Sequence, residues 1–156
     1  MIVIEIPGKG VLRLENLLID FNGTLATDGI IKPGIQKRIN LLTQQLKIFI
    51  LSADTCGTLK EATKGIKVEV LRVPEKNSSK GKKEIIQRIG LKKTAVIGNG
   101  YNDLFILKEA RLGIVVIGKE GVSVRALLNS DMVVKDISDA LDLFMYPLRI
   151  KATLRR

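Results

Sequence analysis

A single carboxylate, Asp20, stands where a short apolar stretch meets a sharp turn of the chain. Residues 16–19 before it read Asn-Leu-Leu-Ile, and Asn22 and Gly23 after it are turn-forming residues. This pattern predicts a buried strand that ends at Asp20. Ligands of open parallel α/β sheets bind just beyond the carboxyl ends of the strands. We therefore expect Asp20 to present a reactive side chain to a ligand.

Polar residues also follow two other predicted strands. Residues 52–54 read Ser-Ala-Asp, residues 98–103 read Gly-Asn-Gly-Tyr-Asn-Asp, and three lysines follow Ser79 at the start of a predicted helix. If the strands are parallel, all these groups meet at one edge of the sheet. Lysine neutralises phosphate charge, and Mg²⁺ prefers oxygen ligands from carboxylates and carbonyls. The combination is typical of a site for a phosphate and a hard cation.

The composition removes several kinds of chemistry. The chain has no histidine and one cysteine, Cys56. Imidazole catalysis, an internal disulfide and a cysteine metal cage are therefore excluded, and a cytoplasmic location is the expectation. No apolar run approaches the roughly 18 residues of a membrane span, and the N-terminus lacks the basic stretch of a signal peptide. We expect no membrane association.

The net charge of +10 leaves the class of partner open. A basic balance suits nucleic acid, an anionic membrane surface or a phosphate-rich substrate. Aromatic residues make up only 4% of the chain and are not interleaved with the basic ones. That absence argues against a stacking platform for nucleic acid, so a generally basic surface is the favoured interpretation.

Strand and helix patterns alternate along the 156 residues, which suit a single domain spanning 1–156. The predicted fold class is α/β, a three-layer doubly wound parallel sheet with an N-terminal β-hairpin and no large cap. The predicted strands are 2–6 and 11–14 for the hairpin, then 17–20, 47–51, 68–73, 94–97, 113–117 and 132–134. One predicted helix begins after Pro33-Gly34, and another is capped by Ser78 and Ser79 and runs through Ile89. The other predicted helices cover 58–64, 102–110, 122–129 and 137–145.

Four short motifs occur in order. Residues 20–25 read Asp-Phe-Asn-Gly-Thr-Leu, Ser52 ends a strand, Lys82 precedes an Ile-Ile pair by three positions, and residues 98–103 form the fourth motif. With these motifs the chain resembles the haloacid dehalogenase (HAD) superfamily of phosphatases. More narrowly, it is similar to the phosphorylation domain of P-type ATPases and to small soluble phosphatases like it. Lys80 is the second candidate for the third-motif lysine.

The resemblance implies phosphoryl transfer through a covalent aspartyl phosphate. Asp20 would be the nucleophile. The phosphate would be held by Lys82, by Thr24, and by Ser52 and Ala53, which follow the predicted strand 47–51.

The resemblance also implies a Mg²⁺ cofactor. Its ligands would be the carboxylate of Asp20, the backbone carbonyl of Asn22 and the side chain of Asn99. Asp103 would either orient water on the metal or hold Lys82.

Two residues depart from the pattern of the superfamily. Phosphatases usually carry Asp at the position of Asn22, where it serves as general acid and base, and Asn cannot carry that proton. The loss of such help is worth about 10²- to 10⁴-fold in rate. Asn99 also replaces an Asp, which predicts weaker metal binding. Both asparagines precede glycine, and we hypothesise that deamidation could restore carboxylates.

These observations favour a slow Mg²⁺-dependent phosphatase that acts on a phosphorylated small molecule or macromolecule. The alternative is a catalytically reduced relative that binds phosphate or regulates a partner. A nucleic-acid accessory protein is a third reading, from charge alone. Capless members of such families often oligomerise, and the amphipathic stretch 137–154 could supply an interface.

Overall fold

A computed structural model describes residues 1–53, 58–73, 82, 84, 87 and 89–156, with the side chains of residues 58 and 60 left aside. The described strands are β1 (Ile2–Ile6), β2 (Gly10–Leu14), β3 (Asn16–Asp20), β4 (Ala26–Thr27), β5 (Ile30–Ile31), β6 (Lys47–Ser52), β7 (Glu69–Arg72), β8 (Thr94–Gly98), β9 (Leu112–Val116) and β10 (Met132–Val134). The described helices are α1 (Ile35–Leu42), α2 (Thr58–Ala62), α3 (Leu104–Glu109), α4 (Val124–Leu128), α5 (Ile137–Met145) and α6 (Leu148–Leu154), with 3₁₀ turns at Leu91–Lys93 and Tyr101–Asp103.

Six strands form one parallel sheet in the order β10-β9-β8-β3-β6-β7. The first strand of this sheet in the sequence, β3, lies at its centre between β8 and β6. The chain therefore winds outward from β3 in both directions, as in a doubly wound fold. The carboxyl ends of β3, β6 and β8 are neighbours, since Asp20 pairs with Leu51 and Ile19 pairs with Ile97.

Helices and the N-terminal hairpin cover the two faces of the sheet. In β3, Leu17 and Ile19 pack into one hydrophobic cluster with the β1–β2 hairpin, α1, α5 and Ile150 of α6. Leu18 points into the other cluster, with Ile106 of α3 and Ala126 of α4. A strand that is buried on both faces explains the continuous apolar runs of the sequence. The predicted three-layer α/β class with an N-terminal hairpin is confirmed, and the part of the chain that the structure describes contains no large cap.

Two elements were not anticipated. The short β4–β5 hairpin turns at Asp28 and Gly29, whose φ angles of 52° and 76° fit a type I′ turn. Asp-Gly between Thr27 and Ile30 is a typical signal for this turn, so the sequence did contain the clue. The second element is α6, which follows a break at Tyr146 and Pro147 inside the amphipathic C-terminal stretch.

The observed boundaries differ by a few residues from those predicted. Helix α1 ends at Leu42, and Leu46 is buried after a turn in which its amide donates to the carbonyl of Leu42 at 2.9 Å. The helix that was expected after Ser79 is helical at each of its described positions, which are 82, 84, 87 and 89. Asp54, Cys56, Ser78, Ser79 and Lys80 lie outside the described residues. Within the described part, no helix combines the length and the apolar character needed to cross a membrane.

Candidate active site at the carboxyl edge of the sheet

A buried ammonium group lies between two carboxylates at the edge where β3 and β8 end. Lys82 Nζ donates to Asp20 Oδ1 at 2.7 Å and to Asp103 Oδ1 at 2.6 Å. The relative exposures of Lys82, Asp20 and Asp103 are 1%, 6% and 0%. Charges that are this deeply buried are tolerated when each is paired and hydrogen-bonded. The structure thus brings together three residues that lie 62 and 21 positions apart in the chain.

Both carboxylate oxygens of Asp103 accept hydrogen bonds from protein donors. Its Oδ1 accepts from Lys82, and its Oδ2 accepts from the backbone amides of Asn99 at 3.2 Å and Gly100 at 3.0 Å. A carboxylate that is buried and engaged in this way orients its neighbours. Of the two roles expected for Asp103, holding the lysine and orienting a metal's water, the geometry favours the first.

Burial and charge act against each other at this cluster. Burial, and after it the nearby Asp103 carboxylate, raise the pKa of Asp20, while Lys82 lowers it, and the balance of these effects is a pKa of about 7. Burial also disfavours the charge on Lys82, but the two carboxylates outweigh that effect and raise its pKa above the usual value. The lysine therefore stays charged at neutral pH, and Asp20 is the group whose protonation changes near pH 7.

Asn99, at the end of β8, connects three loops. Thr24 Oγ1 donates to Asn99 Oδ1 at 3.0 Å, and Asn99 Nδ2 donates to the carbonyl of Gly121 at 3.1 Å. The amide of Ser123 donates to the backbone carbonyl of Asn99 at 2.8 Å. The turn after Asp20 is thereby joined to the loop after β9.

Gly23 lies where these loops pack tightly against each other. Its φ angle is +75°, and a Cβ on it would lie 2.5 Å from Asn99 Nδ2 and 3.0 Å from Glu120 Oε2. Glu120 Oε1 also accepts from the backbone amide of Asp28, in the β4–β5 turn, at 3.0 Å. Glu120 was missed by the sequence analysis, since no motif surrounds it and only the tertiary structure brings its loop to Gly23.

The remaining expected residues lie nearby. Ser52 is buried at the end of β6, beside β3, and Ala53 follows it half-buried. Thr24 is buried in the turn, while the side chain of Asn22 is exposed. All the expected site residues thus have their side chains at the carboxyl edge of the sheet or in the turns next to it.

The donor set can be compared with the needs of Mg²⁺. Among the described residues, no group of three or more carboxylate, cysteine or histidine side chains forms a metal site. The expected ligands are instead the carboxylate of Asp20, the backbone carbonyl of Asn22 and Asn99 Oδ1. These are hard oxygen donors with one formal charge. They fit an ion that keeps several waters and uses one or two carboxylates together with substrate phosphate.

The same fold occurs in solved phosphatases. A cobalt-bound deoxy-D-mannose-octulosonate 8-phosphate phosphatase from Haemophilus influenzae superposes with a TM-score of 0.73 and 13% identity, over 92% of this chain and 94% of that one. The 3-deoxy-D-manno-octulosonate 8-phosphate phosphatase from Moraxella catarrhalis, in complex with magnesium, phosphate and KDO, gives a TM-score of 0.67 and 16% identity over 85% and 86%. The fold is therefore that of the HAD superfamily phosphatases, as the four motifs predicted.

Sequence comparison places the chain more narrowly. Uncharacterized protein MJ0073 of Methanocaldococcus jannaschii is 58% identical over 64 residues, which are 41% of this chain and 69% of that protein. Uncharacterized protein MJ0072 of the same organism is 54% identical over 39 residues, 25% of this chain and 89% of that protein. The chain belongs to the family of these two proteins.

A third relative bears a functional name. The soluble P-type ATPase-like phosphatase of Methanocaldococcus jannaschii is 28% identical over 125 residues, which cover 77% of this chain and 45% of that phosphatase. The chain therefore matches less than half of the length of that relative. No family model matches the chain.

Proposed function

We propose that the protein is a phosphohydrolase that forms a covalent aspartyl phosphate, an acyl phosphate, on Asp20. The observation that supports this most directly is the buried Asp20–Lys82–Asp103 cluster at the carboxyl edge of β3. The HAD fold and the similarity to a soluble P-type ATPase-like phosphatase support the same class of reaction.

The reaction would proceed in two displacements. A carboxylate oxygen of Asp20 attacks the phosphorus of the substrate, the bond from phosphorus to the leaving oxygen breaks, and an aspartyl phosphate remains. Water then attacks that phosphorus, releases inorganic phosphate and restores the carboxylate. Lys82 neutralises charge on the phosphoryl oxygens, and Asp103 keeps the ammonium group in place.

The chain's own donors set the rest of the site. Thr24 and the residues after β6, Ser52 and Ala53, are the proposed phosphate contacts. Asp20, the carbonyl of Asn22 and Asn99 Oδ1 would hold Mg²⁺, which when bound supplies positive charge to the phosphoryl oxygens.

Proton transfer is the step that this site lacks. Asn22 cannot protonate a leaving group or activate water, so among the described residues nothing replaces that acid and the leaving oxygen takes its proton from solvent. General acid–base help is worth about 10²- to 10⁴-fold, and we propose turnover that is slower by that order.

The test is hydrolysis of p-nitrophenyl phosphate with Mg²⁺ by the wild-type protein and by Asp20→Ala. Asp139→Ala, an exposed carboxylate on α5, is the matched control. Loss of activity in the first variant alone supports the proposal. Equal rates for all three proteins would place the activity elsewhere and overturn it.

A second candidate rests on the two asparagines. Because Asn22 and Asn99 leave the site with fewer charges than a typical phosphatase, the protein could bind phosphate without turning it over and regulate a partner. Calorimetric binding of inorganic phosphate that Lys82→Met abolishes, in a preparation without hydrolytic activity, would favour this second function.

The C-terminal region also relates to the expected oligomer. Tyr146, which follows α5, and Leu148, the first residue of α6, are exposed by 53% and 76%. We propose that this surface contributes to self-association. Solution scattering that reports a monomer at all concentrations would contradict that proposal.

A further inference from the structure

Position 99 is surrounded by groups that suit an amide. Asn99 Nδ2 donates to the Gly121 carbonyl at 3.1 Å, while its Oδ1 accepts from the Thr24 hydroxyl at 3.0 Å. The two ends of the amide thus meet an acceptor and a donor, respectively. A carboxylate at this position has two acceptors and no donor, so one of its oxygens would face the Gly121 carbonyl oxygen without a proton between them.

A negative charge lies on the same side as the amide nitrogen. Glu120 Oε2 and Asn99 Nδ2 are both within 3.0 Å of the point where a Cβ of Gly23 would lie. Glu120 is exposed, and its Oε1 accepts from the amide of Asp28. The position of Glu120 therefore favours the NH₂ group of Asn99 and disfavours a second carboxylate.

The loop that carries Glu120 also packs against the turn after Asp20. Gly23 and Gly118 approach each other so closely that a Cβ on Gly118 would lie 3.2 Å from the Gly23 carbonyl oxygen. The loop after β9 therefore packs directly on the turn that carries Asn22. The Asn99 amide bridges this turn and this loop through Thr24 and Gly121, and the Glu120 carboxylate joins the same loop to the β4–β5 hairpin through the Asp28 amide.

We propose that Asn99 and Glu120 are a pair of positioning residues that fasten the Asp20 turn and the β4–β5 hairpin to the loop after β9, and that this loop is built for an amide at position 99. The asparagine then stabilises the site, and an aspartate does not restore it. This inference rests on the contacts and holds whether or not the site turns over a phosphate ester.

The decisive variants are Asn99→Asp and Asn22→Asp, each measured by thermal unfolding in EDTA. Both add one negative charge to the same site, but Asn22 is exposed and Asn99 is clamped. We expect the melting temperature to fall by about 5 °C or more for Asn99→Asp and by much less for Asn22→Asp. Equal melting temperatures for the two variants would overturn the proposal.

Glu120→Gln separates charge from shape. Gln can still accept from the Asp28 amide, so alone it should change the melting temperature little. Combined with Asn99→Asp, it should recover part of the loss, since the like charge is removed. If Asn99→Asp lowers the melting temperature equally in the wild type and in the Glu120→Gln variant, the proposed pairing is overturned.

A third measurement applies even if Asn99→Asp does not fold. Glu120→Ala removes an exposed side chain and leaves the Asp28 amide without its acceptor. Hydrogen exchange at Asp28 should become at least about tenfold faster, while Glu120→Gln should keep the rate of the wild type. Unchanged exchange in Glu120→Ala would show that this side chain does not hold the hairpin.

Discussion

Lys82 lies between Asp20 and Asp103, with its ammonium nitrogen 2.7 Å from one carboxylate and 2.6 Å from the other. Two carboxylates that share one cation cannot be considered separately. Burial raises the pKa of Asp20, and the second negative charge, which the lysine holds close to it, raises this pKa as well.

Removal of the shared cation should destabilise the fold. Lys82→Met leaves two buried carboxylates without a countercharge, and breaking a buried pair of this kind costs about 3–5 kcal/mol. Urea unfolding at pH 7 should show a loss of that size, with a smaller loss at pH 5, where Asp20 can take up a proton. The control is Lys37→Met, since Lys37 is exposed on α1, and it should change the free energy of unfolding very little. A loss no larger than that of the control would mean that the three groups are not packed together.

The raised pKa of Asp20 predicts a pH dependence of stability. The folded protein binds this proton more tightly than the unfolded chain, so the stabilising contribution is complete below pH 3.8 and is lost as the pH rises through about 7. Asn does not titrate, so Asp20→Asn, measured in EDTA, should not show this fall in stability with rising pH. Its free energy of unfolding relative to wild type should therefore increase between pH 4 and about 7. A difference that stays constant across that window would show that Asp20 titrates normally.

Gly23 should not tolerate a side chain. Gly23→Ala adds a Cβ that would lie 2.5 Å from Asn99 Nδ2, in a residue whose φ angle is +75°. Gly29→Ala is the matched control, since its φ angle is +76° but nothing lies within 4 Å of the added Cβ. Both variants should lose about 1–2 kcal/mol from the left-handed backbone, and only Gly23→Ala should lose more. Equal losses in chemical unfolding would contradict the tight approach of the loops.

Because Asn22 cannot act as a general acid, we expect the protein to hydrolyse only phosphate esters with acidic leaving groups. With Asn22, the rate should depend steeply on the acidity of the leaving group, so that p-nitrophenyl phosphate is hydrolysed and simple alkyl phosphates are not. Asn22→Asp should raise the rate for alkyl phosphates by about 10²- to 10⁴-fold and change the aryl phosphate much less. Steady-state kinetics on a series of phosphate monoesters measures this, with Asp20→Ala as the blank. An equal gain on every ester would show that Asn22 does not limit proton transfer.

The structure bears on the deamidation hypothesis as well. Deamidation needs the next backbone nitrogen to attack the Asn side chain, but Gly23 N donates to the Ala26 carbonyl at 2.9 Å and Gly100 N donates to Asp103 Oδ2 at 3.0 Å. We expect the folded protein to keep both Asn22 and Asn99, and urea to accelerate their conversion. Peptide mapping by mass spectrometry measures the fraction of each asparagine that has been converted. Rapid conversion in the folded protein, accompanied by a gain in turnover, would reverse this conclusion.

Most of the fold was predictable because its signals are local. Parallel strands buried on both faces appear as short apolar runs, and β3, β6, β8 and β10 were expected within one residue of their observed bounds. The β4–β5 hairpin was missed although Asp28-Gly29 signalled it, because strands of two residues have no periodicity to detect.

The site was predictable to a lesser degree. Asp20, Ser52 and Asn99 could be expected near one another because each ends or follows a strand of the same sheet. The spacing to an Ile-Ile pair favoured Lys82 among three neighbouring lysines, and the structure places Lys82 between Asp20 and Asp103. Nothing local revealed Glu120, whose position depends on the path of the loop after β9.

The sequence by itself determined the strand order in the chain, the kinds of residue at the strand ends and the absence of imidazole, since these depend on residue type and local spacing. Only the tertiary structure decided which charges share a partner and which groups surround Asn99. Burial and distance set those relationships, and both depend on how segments that are far apart in the chain pack against each other.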